Sequence, residues 1–378
     1  MAIATKRARS GSKCVGPAAA ALLALFSSGS IGAGQAPRRL TTEPSMYARA
    51  VRSADGEILA AMTGFVGGKH IDVYASADAG AAFRRVSRIT DPDFATGLCC
   101  GTIFQLPRAF GDLPAGTMLW AGSVGQDGGT ERRMTIKIYR SADQGRTWRF
   151  LSAIASPNAG GLWEPEFSVA DDGALVMMYS DETDRKTWDQ KLVKARSYDG
   201  VRWQDTDDLV ASTARADRPG MAVVSRLADG TRVLTYELCG PAACATFYKT
   251  SSDGWDWGDA AQAGTAIRLP DGRHFAHAPY NAVLPSGPLL VIGQMLMNAD
   301  HSVAAGNGTT IFKSASGNPA GPWTTIAAPV AVPGARDHPC PNYSSPLLPL
   351  GRGATVLEFA GRLEGDTCVM YFARGPAN

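Results

Sequence analysis

The chain has 378 residues, 37 Lys and Arg against 35 Asp and Glu, and a formal net charge of +2. That balance excludes a polyanion binder acting by bulk charge, so neither nucleic acid nor an anionic membrane is an expected partner. With 45% hydrophobic residues the chain is too apolar for disorder, and with 42 glycines and 23 prolines it is too rich in turns for a helical bundle.

In chain order, Lys6, Arg7, Arg9 and Lys13 form a basic head, Val15 to Phe26 an apolar run and Ser27 to Gly34 a small-residue tail. This layout predicts a secretory signal peptide over 1–34, a mature start near Gln35, and a secreted or periplasmic protein. No later stretch reaches the length of about 18 apolar residues that a membrane helix needs. Removing Cys14 leaves six cysteines, an even number suited to an oxidising compartment. Cys239 and Cys244 bracket a Gly-Pro turn and are the candidate disulfide; the sequence does not pair Cys99, Cys100, Cys340 and Cys368. A zinc site is not expected, because no Cys-x-x-Cys occurs and the five histidines are scattered.

After residue 35, apolar runs with turn residues ahead of most of them recur at Ile58, Met118, Leu175, Arg232, Leu289 and Ala354, at spacings of about 57 to 65 residues. Each is preceded by a further apolar run, so two hairpin-linked strands per repeat are visible directly. A second signature interleaves with them: Ser76-x-Asp78-x-Gly80-x-x-Phe83 and Ser141-x-Asp143-x-Gly145-x-Thr147-Trp148. Forms one residue shorter occur at Ser197-Tyr198-Asp199-Gly200 and Ser251-Ser252-Asp253-Gly254, and a degenerate one runs from Ser314 to Trp323. Here Asp accepts bonds from the turn backbone, Gly takes a conformation other residues avoid, and the aromatic packs back onto the blade. Six repeats of about four short strands predict an all-β, six-bladed β-propeller over 35–378 as a single domain. The Ser-x-Asp-x-Gly-x-Thr-Trp pattern resembles the Asp box of sialidase-like propellers.

In a propeller the first strand of each blade lines a central tunnel, which selects Tyr47-Ala48-Arg49-Ala50, Trp163 to Phe167, Arg218 to Met221, Pro279 to Asn281 and Asn342 to Ser344. Glu164 and Glu237, on adjacent repeats, can reach the same funnel. Retaining glycoside hydrolysis requires two carboxyls about 5 to 5.5 Å apart.

The segments Gly161-Leu162-Trp163-Glu164-Pro165, Tyr179 to Glu182, Arg218 to Met221, Thr235-Tyr236-Glu237, Tyr47 to Ala50 and Asn342 to Ser344 resemble the exo-arabinanases of glycoside hydrolase family 93. The resemblance implies retaining release of a short arabinose unit, typically arabinobiose, from the non-reducing end of linear α-1,5-arabinan, with an oligosaccharide or polysaccharide as partner and a monomeric protein. It implies Glu164 as acid/base, Glu237 as nucleophile and Tyr343 as the group orienting Glu237, with no cofactor and no metal. Arg49 and Arg218 are candidates for holding sugar hydroxyls or keeping Glu237 ionised. Trp163 and Tyr280 are candidates for stacking on a furanose, and Gln190, His277 and Asn281 for further contacts; Asp181 and Glu182 are read as completing a loop. Glu166 departs from the pattern, and strand alternation puts it on the face of Glu164. Two other readings stand beside this one. A sialidase would draft Arg49, Arg218 and Arg336 around a carboxylate, and a binding propeller without catalysis would not aim two acids at one spot.

Overall fold

Six antiparallel sheets follow one another along the chain in the computed structural model, which describes residues 35–351 and 355–378. The expected signal peptide over 1–34, and Ala354 at the head of the sixth run, lie outside the described residues. Blade 1 consists of Ser45–Arg52, Ile58–Gly64, His70–Ser76 and Arg84–Ile89; blade 2 of Leu98–Gln105, Met118–Val124, Thr135–Ser141 and Arg149–Ala155. Blade 3 consists of Leu162–Val169, Leu175–Asp181, Lys191–Ser197 and Gln204–Val210, and blade 5 of Tyr280–Val283, Leu289–Ile292, Thr310–Ser314 and Trp323–Ala327. All six predicted runs are second strands of their blades. The first strands of successive blades touch around an axis, and blade 6 contacts blade 1, which closes the propeller.

Two blades depart from the plain pattern. Blade 4 keeps three long strands, Arg218–Arg226, Arg232–Cys239 and Ala245–Ser251, but only Thr265–Ala266 stands in its fourth place. A hairpin of His274–Ala276 with Met295–Met297 extends its sheet instead. Blade 6 is Leu347–Leu350, Thr355–Glu364 and Thr367–Pro376, with Arg38–Arg39 from the other end of the chain as its outer strand. Asn342, Tyr343 and Ser344, expected on that blade's inner strand, form a turn just ahead of it. Among the described residues no helix is long and apolar enough to cross a membrane.

A flat four-stranded blade cannot bury both of its faces alone, and the apolar clusters accordingly lie between blades. Leu59, Val73 and Trp120 join blades 1 and 2; Leu119, Ile136 and Met177 join blades 2 and 3; Val176, Leu192 and Tyr236 join blades 3 and 4. Corresponding clusters join blades 4 to 5, 5 to 6 and 6 to 1. The Asp boxes staple the same interfaces. Asp143 accepts bonds from Thr147 N at 2.8 Å and Ser141 Oγ at 2.7 Å, and Gly145 N donates to Ser141 Oγ at 2.8 Å. Trp148 Nε1 then donates to Gly145 O and across the interface to Ser87 Oγ on blade 1, at 3.0 and 3.1 Å. The aromatic therefore packs on the preceding blade, not its own as the sequence suggested. Phe83 likewise packs edge-on against Phe359 and Phe372 of blade 6, with ring centroids 5.4 and 4.9 Å apart. The shortened boxes work alike: Asp199 accepts Val201 N and Arg202 N at 2.8 Å.

Burial acts to raise the Asp143 pKa, but the bonds from Thr147 and Ser141 outweigh it and hold the carboxyl down at about 2. The unfolded value is about 3.9, so the box's contribution is complete above pH 4 and is lost as pH falls toward 2. Asp143→Ala is expected to lower stability at pH 7 by about 1 kcal/mol. The gap from wild type should narrow in thermal melts at pH 2 to 3; a constant gap across pH would contradict this account.

Candidate active site

At one end of the tunnel each of the six blades begins with positive-φ residues, in the same bulge in blades 1 to 4 and in a turn ahead of the strand in blades 5 and 6. In blades 1 to 4 the pairing of first and second strands slips between Met46 and Arg49, Cys99 and Thr102, Trp163 and Glu166, and Gly220 and Val223. Inside each slip one residue adopts positive φ: Tyr47 at 55°, Cys100 at 61°, Glu164 at 56° and Met221 at 60°. Ahead of blades 5 and 6, His277, Ala278, Asn342 and Ser344 do so at 63°, 46°, 59° and 52°. Such residues cost about 1 to 3 kcal/mol each and persist where packing over-determines them. Each bulge re-aims a side chain at the axis. Tyr47, Cys100, Met221 and Ala278 thus form an apolar cluster with Tyr343, and Glu164 occupies the equivalent position in blade 3.

Above this ring lies a cavity of about 490 Å³. The side from blades 1, 2 and 6 is mixed: Met46, Tyr47, Phe65, Leu98 and Tyr343 are apolar, Thr63, Lys69 and Gln126 are polar, and the Cys99–Cys100 disulfide joins neighbouring residues there. The other side is polar, with Glu164, Glu182, Gln190, Arg218 and Glu237 beside Trp163. The predicted Cys239–Cys244 bridge is present at its edge, and Cys340 pairs with Cys368. Cys239, Cys244 and His277 have ligand atoms within 4.8 Å of one another, but the two sulfurs are bonded together and have no thiolate to offer a metal.

The two predicted glutamates meet here. Glu164 Oε2 accepts Ser180 Oγ at 2.8 Å and Met221 N at 3.0 Å. Burial raises its pKa, and these two donors oppose the rise. Glu237 is 9% exposed, and its Oε2 accepts Ala278 N at 2.7 Å, with His277 Nδ1 at 3.9 Å. Burial, and then the nearby Glu164 charge, push it up to about 8. Gly220 sits between them: it is the ladder partner of Glu237, and a Cβ on it would lie 3.4 Å from Glu164 Oε2 and 2.8 Å from Gln190 Nε2.

Arg218 donates to Glu182 Oε1 and Gln190 Oε1, both at 2.7 Å, and Gln190 Nε2 donates to Pro219 O at 2.8 Å. Glu182 was expected only to complete a loop, yet it lines the cavity and also receives Arg132, whose guanidinium stacks over Trp163 at 5.2 Å. Burial works to raise the Glu182 pKa; Arg218, Trp163 and Arg132 together bring it below the ordinary value. Neither Arg132 nor the Cys99–Cys100 pair was singled out from sequence as part of the site. Asp181 accepts Thr183 N and closes its loop as expected.

Five expectations are corrected. Arg49 does not reach the cavity: buried beneath it, its guanidinium holds Ser344 O, Ser344 Oγ and the Tyr47 hydroxyl at 3.1, 2.7 and 3.0 Å. Tyr280 stands beside it in the tunnel, its ring 5.3 Å from that guanidinium. Asn281, 1% exposed, ties blades 4 and 5 together through Val223 O and Thr235 Oγ1 at 2.7 and 2.8 Å. Glu166 accepts Thr102 Oγ1 at 3.1 Å, below the cavity, because the bulge after Trp163 breaks the alternation that would have put it beside Glu164. Burial raises Glu166 to about 7 against Arg49 and Thr102. Tyr343 does line the cavity, but its hydroxyl faces Met221 Sδ at 3.9 Å instead of bonding Glu237.

No protein-family model and no curated protein sequence matches the chain. Solved structures do. An α-L-arabinanase of Penicillium chrysogenum complexed with arabinobiose aligns over 91% of this chain and 99% of its own, at 24% identity and a TM-score of 0.77. An α-L-arabinofuranosidase of Fusarium graminearum with arabinobiose aligns over 91% and 98%, at 23% identity and 0.73. A Hadza microbial sialidase follows at 15% identity and 0.57, over 88% and 66%. At these identities the likeness establishes a shared fold, the six-bladed sialidase-like propeller.

A folded-state carboxyl near pH 8 that titrates near 4.3 when unfolded costs stability progressively as pH rises between those values. Glu237→Gln should therefore melt above wild type at pH 7 to 8, with the two curves converging toward pH 4. A variant no more stable at pH 8 than at pH 4, relative to wild type, would refute the raised pKa.

Proposed function

We propose that the protein is an exo-acting glycosidase that cleaves α-1,5-linked arabinan with retention and releases a short arabinose unit such as arabinobiose. The observation that carries this reading is the pair of carboxyls, half-buried Glu164 and buried Glu237, brought from adjacent blades to one cavity with unlike environments. The arabinobiose bound by the two fungal proteins of the same fold supports the choice of sugar. A furanose has an apolar face and a hydroxyl edge, and the cavity lining offers both aromatic and apolar side chains (Tyr47, Phe65, Trp163, Tyr343) and hydrogen-bonding ones (Gln190, Arg218). The sialidase alternative loses its arginine triad: Arg218 lines the cavity, while Arg49 is buried below it and Arg336 lies on the exposed surface outside its lining.

The unlike environments favour the opposite assignment of roles from the one suggested by sequence. With a pKa of about 8, Glu237 carries a proton at neutral pH and can donate it to the glycosidic oxygen as the bond to C1 breaks. Glu164 has two donors on Oε2 that favour its charged form, leaving Oε1 to attack C1 and form a glycosyl ester. Glu237, now ionised, takes a proton from water; the water attacks C1 and frees Glu164. Arg218 and Gln190 stand where sugar hydroxyls would be bound. Export is part of the same proposal and rests on the N-terminal sequence; N-terminal sequencing of the exported protein should find a start near Gln35.

The test is chromatography of products from linear arabinan, debranched arabinan and sialyl-lactose, followed by azide rescue with 4-nitrophenyl α-arabinobioside. Arabinobiose from the arabinans alone is expected. Glu237→Ala with azide should give arabinobiosyl azide of retained configuration, and Glu164→Ala the inverted azide; the reverse pattern would restore the order suggested by sequence. Sialic acid release, or full activity in both variants, would end the proposal. Gly220→Ala should stay folded and lose about 10- to 100-fold in kcat/KM, because its Cβ displaces Gln190 and crowds the Glu164 carboxylate.

A further inference from the structure

Beside the catalytic cavity, blades 3 and 4 and the loop ahead of the third strand of blade 2 enclose a second hollow of about 280 Å³. It shares Glu182 and Arg218 with the larger cavity, and Thr130, Arg132, Arg185, Asp189 and Arg215 complete its lining. Four guanidiniums therefore face two carboxylates. Arg132 and Arg218 share Glu182, and Arg215 pairs with Asp189 at 3.1 Å. Among the described residues Arg185 has no carboxylate within ion-pair distance; it is held by Thr130 O at 3.1 Å and Glu182 O at 3.3 Å. Backbone carbonyls fix the others too: Gly129 O holds Arg132 at 3.2 Å, Arg185 O holds Arg215 at 2.7 Å and Asp189 O holds Arg218 at 3.1 Å. Arg132 Nε is buried without a partner.

Gathering four cations around two anions is unfavourable unless a further anion arrives, and guanidiniums already fixed by backbone lose little freedom when it does. Guanidinium forks match planar or tetrahedral oxyanions through paired N–H donors. The hollow's volume, just under the usual range of about 300 to 1,000 Å³ for small-molecule sites, suits one sugar residue.

We propose that this hollow is a subsite for the anionic group of an acidic sugar, a uronate carboxylate or a sulfate ester, carried by the substrate next to the furanose chain. The placement next to a furanose chain rests on the proposed function; the anion site does not. A near-neutral chain thus concentrates positive charge at the place where an acidic branch or backbone of a polysaccharide would meet the enzyme.

Saturation-transfer NMR with D-galacturonate, D-galactose 6-sulfate and D-galactose tests this on the purified protein at low salt. Binding of either acidic sugar, with galactose silent, is expected, and the one that binds identifies the anion. Arg185→Gln and Arg215→Gln should each weaken that binding at least tenfold, whereas Arg185→Lys should weaken it less. Hydrolysis of neutral 4-nitrophenyl α-arabinobioside should be unchanged in all three. No binding of either acidic sugar, equal binding of galactose, or full binding in both Gln variants would overturn the subsite. If galacturonate binds wild type but no arabinoside is cleaved, the subsite stands and the proposed function falls.

Discussion

Each blade of this propeller depends on its neighbours for a core. Six apolar clusters lie between blades, so the ring gains its full burial only when it closes. Closure is made twice over, by the strand Arg38–Arg39 completing blade 6 and by Phe83 of blade 1 packing on Phe359 and Phe372. The Asp-box glycines press on the blade before them: Gly80 against Leu357, Gly145 against Leu59 and Gly200 against Leu113. A side chain at any of these positions would have to displace the tip of a leucine, and it would also be strained by the positive φ that glycine tolerates.

A ring held this way can support strain at its mouth. The positive-φ residues at the start of each first strand repeat the architecture, but their side chains differ: tyrosine, cysteine, glutamate, methionine, alanine, serine. The backbone geometry is thus generic, and the chemistry comes from which side chain each blade supplies to it. Glu164 is placed by that shared turn. Glu237 comes from a second strand, and the absence of a side chain at Gly220, its ladder partner, lets the two carboxyls share a wall.

Much of this was legible in the sequence because it repeats. The spacing of the apolar runs gave the blade count, and the Asp boxes marked hairpins, since both signals depend only on local turn chemistry and period-2 burial; that the boxes staple neighbouring blades needed the fold. Glu164, Trp163, Glu237 and Arg218, which line one cavity, were legible because they stand at strand ends that a propeller directs to its axis; Gln190, offered only as a further contact, lines it too. The misses each have a physical cause. Glu166 was put on the wrong level because strand alternation does not survive a bulge, and bulges leave no clear mark in a single sequence. Arg49, Tyr280 and Asn281 were assigned to the substrate because sequence places a residue on an inner strand without giving its depth along the tunnel. Arg132 and Glu182 come from loops, whose reach no periodicity encodes. The Cys99–Cys100 bridge needed the fold to show that both sulfurs face the cavity.

Electrostatics alone would not have chosen the pair. Burial raises three carboxyls well into the neutral range: Glu166 to about 7, and Glu237 and Glu358 each to about 8. Glu358 is fully enclosed in blade 6, with Oε2 on Val330 N at 2.7 Å and Oε1 without a partner, and it is not among the residues that line the active-site cavity. Its proton has nowhere to go. Glu166 lies in the tunnel with Arg49 and Thr102 as its neighbours, beneath the floor that Tyr47, Met221 and Tyr343 make. Of the three, Glu237 lines the active-site cavity with a second carboxyl, Glu164, on the same lining, and two donors on that carboxyl oppose the rise that burial imposes on it. A buried acid becomes a candidate catalyst when a reacting atom can reach both it and a second carboxyl in a different environment, and here the bulge at Glu164 brings such a carboxyl into the cavity that Glu237 lines.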